Sequence, residues 1–223
     1  MSSAIQIRYS TESDAPALGQ INIDSFKHHA YWDNAFPNID TAAIFPLKYA
    51  RCLEKLTTPD VHVLSALDGD QLVGWARWQI PGSANGGVEL SESAREKVAI
   101  ASANVGGLLP EGANRRIYEN FFTVLKDLRG SYLKEGDLTL DFLATLPESQ
   151  GRGVGTKLLQ WGMEIADAQD ARIYLEATLD GYPLYLKHGW RPLQDLVLDF
   201  APFGGKGTAK YIIMMRDRKS ERN

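Results

Sequence analysis

The stretch from Asp137 to Gly189 constrains the fold more than any other part of the chain. It opens on Leu138-Thr139-Leu140-Asp141-Phe142-Leu143-Ala144-Thr145, an apolar run with the composition of a strand. A turn at Pro147 follows, then Gln150-Gly151-Arg152-Gly153-Val154-Gly155-Thr156, then a long amphipathic helix. A strand feeding a glycine-rich turn that opens a helix is an anion site, because the first N–H groups of the helix lack intrahelical partners and point at the turn.

Three phosphate-binding patterns compete for this turn. A nucleotide P-loop needs Gly before its Lys and Ser or Thr after it, but Thr156 precedes Lys157 and Leu158 follows. A dinucleotide fingerprint starting at Gly151 needs Gly or Ala where Thr156 stands, and a single late unit is poor context for it. The third pattern, Arg or Gln, two residues, Gly, one residue, then Gly or Ala, is met by Gln150-Gly151-Arg152-Gly153-Val154-Gly155. On that signature the chain resembles the GNAT superfamily of N-acetyltransferases. A second signature lies downstream, after a helix from Lys157 and a strand Ile173-Tyr174-Leu175-Glu176-Ala177: Tyr185 stands four residues before the pair Gly189-Trp190.

The resemblance implies a mixed α/β fold: a GNAT-like central sheet of about six or seven strands with helices on both faces. It implies acetyl-CoA as co-substrate and no metal. The amides of Gln150 to Thr156, together with Arg152, would hold the CoA pyrophosphate, and the sheet would splay near Thr145 and the Ile173 strand so that CoA wedges in. The main chain of Leu143, Ala144 and Thr145 would hold the acetyl and pantetheine arm, with Tyr185 protonating the departing thiolate. Asp141, opposite Phe142 in a regular strand, and Glu176 on the neighbouring strand are the candidate bases, with structural carboxylates as the alternative for each. The implied reaction is acetyl transfer to a primary amine of a small molecule by direct attack on the thioester. A protein or peptide acceptor on the same fold, or a non-catalytic CoA sensor, are the alternatives.

The rest of the chain reads as one domain, 1–223, with residues 137–190 as the acetyl-CoA core and 82–133 as a helical insertion. Ile5 to Tyr9 alternates like a strand, and Thr11 with Asp14 marks a helix start. Lys27 to Pro37 has no clear period but carries His28, His29, Tyr31, Trp32 and Phe36, so it reads as a cover over a substrate pocket, with individual rings that plug the core edge as the alternative. His28, Trp32 and Phe36, with Trp75 and Trp78, are the predicted acceptor contacts. A helix is predicted from Thr41 to Leu56, then a hairpin from Val61 to Ile80 about Asp68-Gly69-Asp70, with Trp75 and Trp78 on opposite faces. In the insertion, helices are predicted from Ser91 to Asn104 and from Ala113 to Leu128, separated by Gly106, Gly107, Pro110 and Gly112. Arg191 to Phe200 and Lys210 to Arg216 form a last hairpin, and the tail from Arg218 is expected to fray.

Composition excludes more than it identifies. A net charge of −4, from 24 Lys and Arg against 28 Asp and Glu, argues against nucleic acid or an anionic membrane as partner. One cysteine, Cys52, allows neither an internal disulfide nor a cysteine zinc site. His28 and His29 are adjacent and diverge on any regular backbone, so a metal is not expected there. With no secretory pattern and no run of about 18 apolar residues, a cytoplasmic protein, monomer or homodimer, is expected.

Overall fold

In the computed structural model, which describes residues 4–103 and 108–222, the apolar runs become a seven-stranded sheet. Asn104, Gly106 and Gly107 lie outside the described residues. The strands are β1 (Gln6–Tyr9), β2 (Val61–Asp68), β3 (Gln71–Gln79), β4 (Leu138–Thr145), β5 (Ile173–Thr178), β6 (Arg191–Asp199) and β7 (Thr208–Arg216). Their order across the sheet is β1-β2-β3-β4-β5-β7-β6. Neighbours are antiparallel except β4 and β5, which run parallel because a helix connects them.

The helices are α1 (Ala15–Phe26), α2 (Ala30–Ala35), α3 (Thr41–Thr57), α4 (Glu92–Ala103), α5 (Arg115–Tyr132), α6 (Val154–Ala168) and α7 (Tyr182–Lys187). Thr11 and Asp14 form the capping box of a short 3-10 turn that leads into α1. Asp40 caps α3 through the Ala42 N–H, and Asn114 caps α5 through the Ile117 N–H. No described helix is long and apolar enough to cross a membrane.

Three apolar clusters hold the layers together. Helix α6 covers one face, where Trp78, Leu140, Leu158, Leu159 and Leu175 meet. On the opposite face α1 and α3 bury Leu18, Leu53, Val63 and Trp75. Beside them α2 and α5 bury Trp32, Phe36, Ile117, Tyr174 and Ile213. Each such side chain taken out of water is worth about 1.5–3 kcal/mol. Cys52 lies in this interior, and burial pushes its thiol up to about 12, which leaves it unreactive. From Arg218 to Arg222 the chain departs from the frayed tail expected of it, and Asn223 lies outside the described residues. Ser220 donates to Asp170 and Arg222 pairs with Asp167, docking the last turn against the end of α6.

Gly162 sets how closely α6 approaches the sheet. A Cβ built there would stand 2.5 Å from Cε2 and Cζ2 of Trp78. Gly162→Ala is therefore expected to destabilise the protein by about 1–3 kcal/mol through overpacking. Combined with Trp78→Phe, it should cost less than the sum of the single changes, read from urea unfolding midpoints.

Candidate active site

The glycine-rich turn is shaped by backbone conformation before any ligand is considered. Gly151 and Gly153 take φ of 73° and 83°, the left-handed region that a side chain disfavours. A Cβ at either would point into open space, so conformation rather than crowding selects glycine. Gly155 differs: a Cβ there would lie 3.1 Å from Leu184, so it serves the packing of α7 on α6. The first bond of α6 runs from the Lys157 N–H to the Gly153 carbonyl at 3.0 Å. The N–H groups of Val154, Gly155 and Thr156 therefore face the turn without a carbonyl of their own helix. Two nearby cations are engaged elsewhere. Arg152 pairs with Asp68 at 2.5 Å, and Lys157 donates to the Ile5 carbonyl at 2.8 Å. Thr156 Oγ1 lies 3.2 Å from His188 Nε2, tying the helix start to the end of α7; burial first, then Lys187 and Arg216, keep that imidazole below its usual pKa.

Before the turn, β4 and β5 part. They pair only at Leu138 with Ile173, Thr139 with Tyr174 and Leu140 with Leu175. From Asp141 onward β4 keeps β3 alone, and from Glu176 onward β5 keeps β7 alone. The Leu146 N–H bonds to the Val73 carbonyl on β3 at 2.9 Å. Strand alternation then turns the N–H and C=O of Leu143 and Thr145 toward the gap. Gln150 Nε2 reaches the Thr145 carbonyl at 3.5 Å. On the far side, Tyr185 is 8% exposed, set against Gly181 and edge-on to Trp190. Burial raises its phenol above the ordinary range, so it holds its proton at neutral pH.

A bulge in the β3–β4 ladder falls at the same point. Arg77 pairs with Phe142 and Trp78 with Leu140, leaving Asp141 as the extra residue. The bulge therefore leaves Asp141 and Phe142 on the same face of the sheet, not on opposite ones. Phe142 stacks on Trp75 there, with ring centroids 4.0 Å apart. Asp141 meets Arg129 of α5 at 2.8 Å and Arg77 at 3.4 Å. Glu176 accepts two hydrogen bonds from the same Arg129, at 2.7 and 2.8 Å. Burial works against the Arg129 charge, and the two carboxylates more than offset it, so the guanidinium is held above its usual pKa.

A family model for the acetyltransferase (GNAT) family matches residues 28–190. The chain belongs to the GNAT family of acetyltransferases. Solved structures extend the likeness over the whole chain. One, a histone acetyltransferase HPA2 and related acetyltransferase from Corynebacterium glutamicum, aligns at a TM-score of 0.64 with 21% identity, over 98% of this chain and 97% of that one. The yncA structure from Salmonella typhimurium, with its cofactor acetyl-CoA, aligns at 0.51 with 15% identity, over 99% and 97%. The PaiA N-acetyltransferase from Thermoplasma acidophilum, in complex with coenzyme A, aligns at 0.50 with 16% identity, over 96% and 99%. A comparison with curated protein sequences finds no match.

In this GNAT chain the predicted residues divide. The structure brings Leu143, Ala144, Thr145, Gln150, the 151–156 turn and Tyr185 around one gap. The carboxylates Asp141 and Glu176 lie at its edge and both face Arg129, Glu176 through two hydrogen bonds and Asp141 through an ion contact at 2.8 Å. The predicted acceptor contacts are mostly core. Trp78 is 0% exposed beneath α6 and Trp75 1% exposed beneath Phe142. Trp32 and Phe36 are buried under α3, their rings 4.9 and 5.7 Å from the Lys48 ammonium, which burial lowers to about 8. They pack rather than cover a pocket because a short helix, α2, turns them inward. Only His28 stays at the surface.

Arg129 was not anticipated from the sequence, yet a signal exists. It follows Leu125 by four residues and precedes Tyr132 by three, so a cation lies on the apolar stripe of an amphipathic helix. Arg129→Met leaves two half-buried carboxylates without their partner and should cost about 3 kcal/mol of stability. Adding Asp141→Asn and Glu176→Gln to that variant should recover part of the loss, measured by denaturant unfolding.

Proposed function

We propose that the protein transfers the acetyl group of acetyl-CoA to the primary amine of a small molecule by direct attack on the thioester. The parting of β4 from β5 beside the glycine turn carries this reading, because it leaves backbone donors and acceptors of Leu143 and Thr145 without a strand partner. The CoA and acetyl-CoA held by the two GNAT structures named above support the choice of co-substrate. Turn amides from Gly151 to Thr156, at the positive end of α6, take the pyrophosphate. The pantetheine arm lies in the gap, and one N–H of β4 polarises the thioester carbonyl.

The amine nitrogen attacks the carbonyl carbon, the C–S bond breaks, and the thiolate takes the proton of the Tyr185 hydroxyl; the proton that the nitrogen loses as the amide forms returns through water to the Tyr185 oxygen. Asp141 and Glu176 act as anchors of Arg129 rather than as bases, and the ammonium proton leaves to water. The acceptor enters on the side bounded by Phe26 of α1, Phe142 of β4 and Arg129 of α5. A side bounded by helices suits a small amine better than a folded protein surface. Because α5 supplies Arg129, the 82–133 segment belongs to the same catalytic unit.

Thiol release from acetyl-CoA across an amine panel tests the reaction: release with at least one small amine is expected, and stabilisation by acetyl-CoA without release from any amine contradicts transfer. Tyr185→Phe should lower kcat by a factor of about 100 or more while leaving the KM for acetyl-CoA nearly unchanged. Since burial raises the Tyr185 pKa, the rate should not fall on the basic side until above the usual tyrosine range. Asp141→Asn should leave the shape of the pH–rate profile unchanged; a displaced acid limb would restore Asp141 as the base.

A further inference from the structure

Two adjacent histidines and an aspartate distant from them in the sequence meet at the rim of the gap. His28 and His29 do not lie on regular backbone: α1 ends before them and α2 starts after them, and this break lets adjacent imidazoles converge. Both turn toward Asp180, in the turn between β5 and α7 and 152 residues from His28. Asp180 Oδ2 stands 3.5 Å from His28 Nε2 and 3.6 Å from His29 Nε2. One ligating atom from each residue lies within 4.8 Å of the others.

These distances are poor for hydrogen bonds, which favour about 2.7–3.2 Å. They are close to the spacing of two ligands on one ion. Zinc bonds of about 2.0–2.1 Å at tetrahedral angles separate the ligand atoms by about 3.3–3.4 Å. We propose that His28, His29 and Asp180 form a binding site for a divalent transition metal of the zinc type, with water in the remaining position. Two imidazoles and one carboxylate make a donor set suited to zinc. The three side chains are 62%, 20% and 75% exposed, so the ion has access from solvent.

The placement gives the ion a structural consequence. The His29 ring lies 5.4 Å from Phe26, and Phe26 lies 5.3 Å from Phe142 on β4. Asp180 immediately precedes Gly181, against which Tyr185 packs. A bound ion therefore ties the α1–α2 turn to the β5–α7 turn, the two lips of the gap.

The test is calorimetric titration of the metal-stripped full chain with Zn2+ alone, with the visible spectrum of the Co2+ form as a second readout. One ion per chain, a tetrahedral Co2+ band and a rise in Tm are expected. His28→Ala and Asp180→Ala alter exposed side chains, so the fold should persist while affinity falls at least tenfold in each. Absence of binding, or equal binding by the two variants and the parent chain, would overturn the site. Acetyl transfer enters none of these readouts, so failure here leaves the proposed reaction untouched.

Discussion

Arg129 holds together two strands that have stopped hydrogen-bonding to each other. The last backbone pair between β4 and β5 is Leu140 with Leu175, and the next residues along, Asp141 and Glu176, both bind the same guanidinium. Parting two central strands of a sheet is costly, because each loses a ladder of hydrogen bonds and exposes polar backbone. A planar cation with several donors can bridge carboxylates on both sides of such a break. The gap can then stay open to one face without the sheet separating further. Leu140 faces α6, so Asp141 takes the Arg129 face by alternation, and the bulge there brings Phe142 onto the same face beside it.

At the turn proposed to take the pyrophosphate, the nearby side-chain charge is already paired within the protein. Arg152 is paired with Asp68 and Lys157 with a β1 carbonyl, so both cations serve to fix the turn and helix start in place. What faces outward is backbone: two glycines in the left-handed region and the first N–H groups of α6. This is consistent with a mildly acidic chain that accepts a polyanionic co-substrate through local dipoles rather than through net charge.

The layout of strands and helices was legible because periodicity and turn chemistry are local. The order strand, glycine turn, helix, strand, short helix could be read directly from residues 138–187, and the Thr11 and Asp14 cap from their spacing. What escaped is what depends on contacts between distant segments. A bulge adds one residue to a strand without changing its composition, so the sharing of one face by Asp141 and Phe142 could not be read from alternation. The rings of Trp32 and Phe36 suggested a cover because no period was visible, but six residues of helix were enough to turn them into the core. Arg129 and Asp180 contribute through partners 47 and 152 residues away, a distance at which pattern carries no information.

The central claim is that acetyl-CoA enters between β4 and β5 with its phosphates on the α6 turn. Backbone amide chemical shifts during titration with acetyl-CoA test this most directly. The account predicts that the largest changes fall on Leu143, Thr145 and the amides from Gly151 to Thr156. Changes confined to other parts of the chain, with these amides unmoved at saturation, would contradict it.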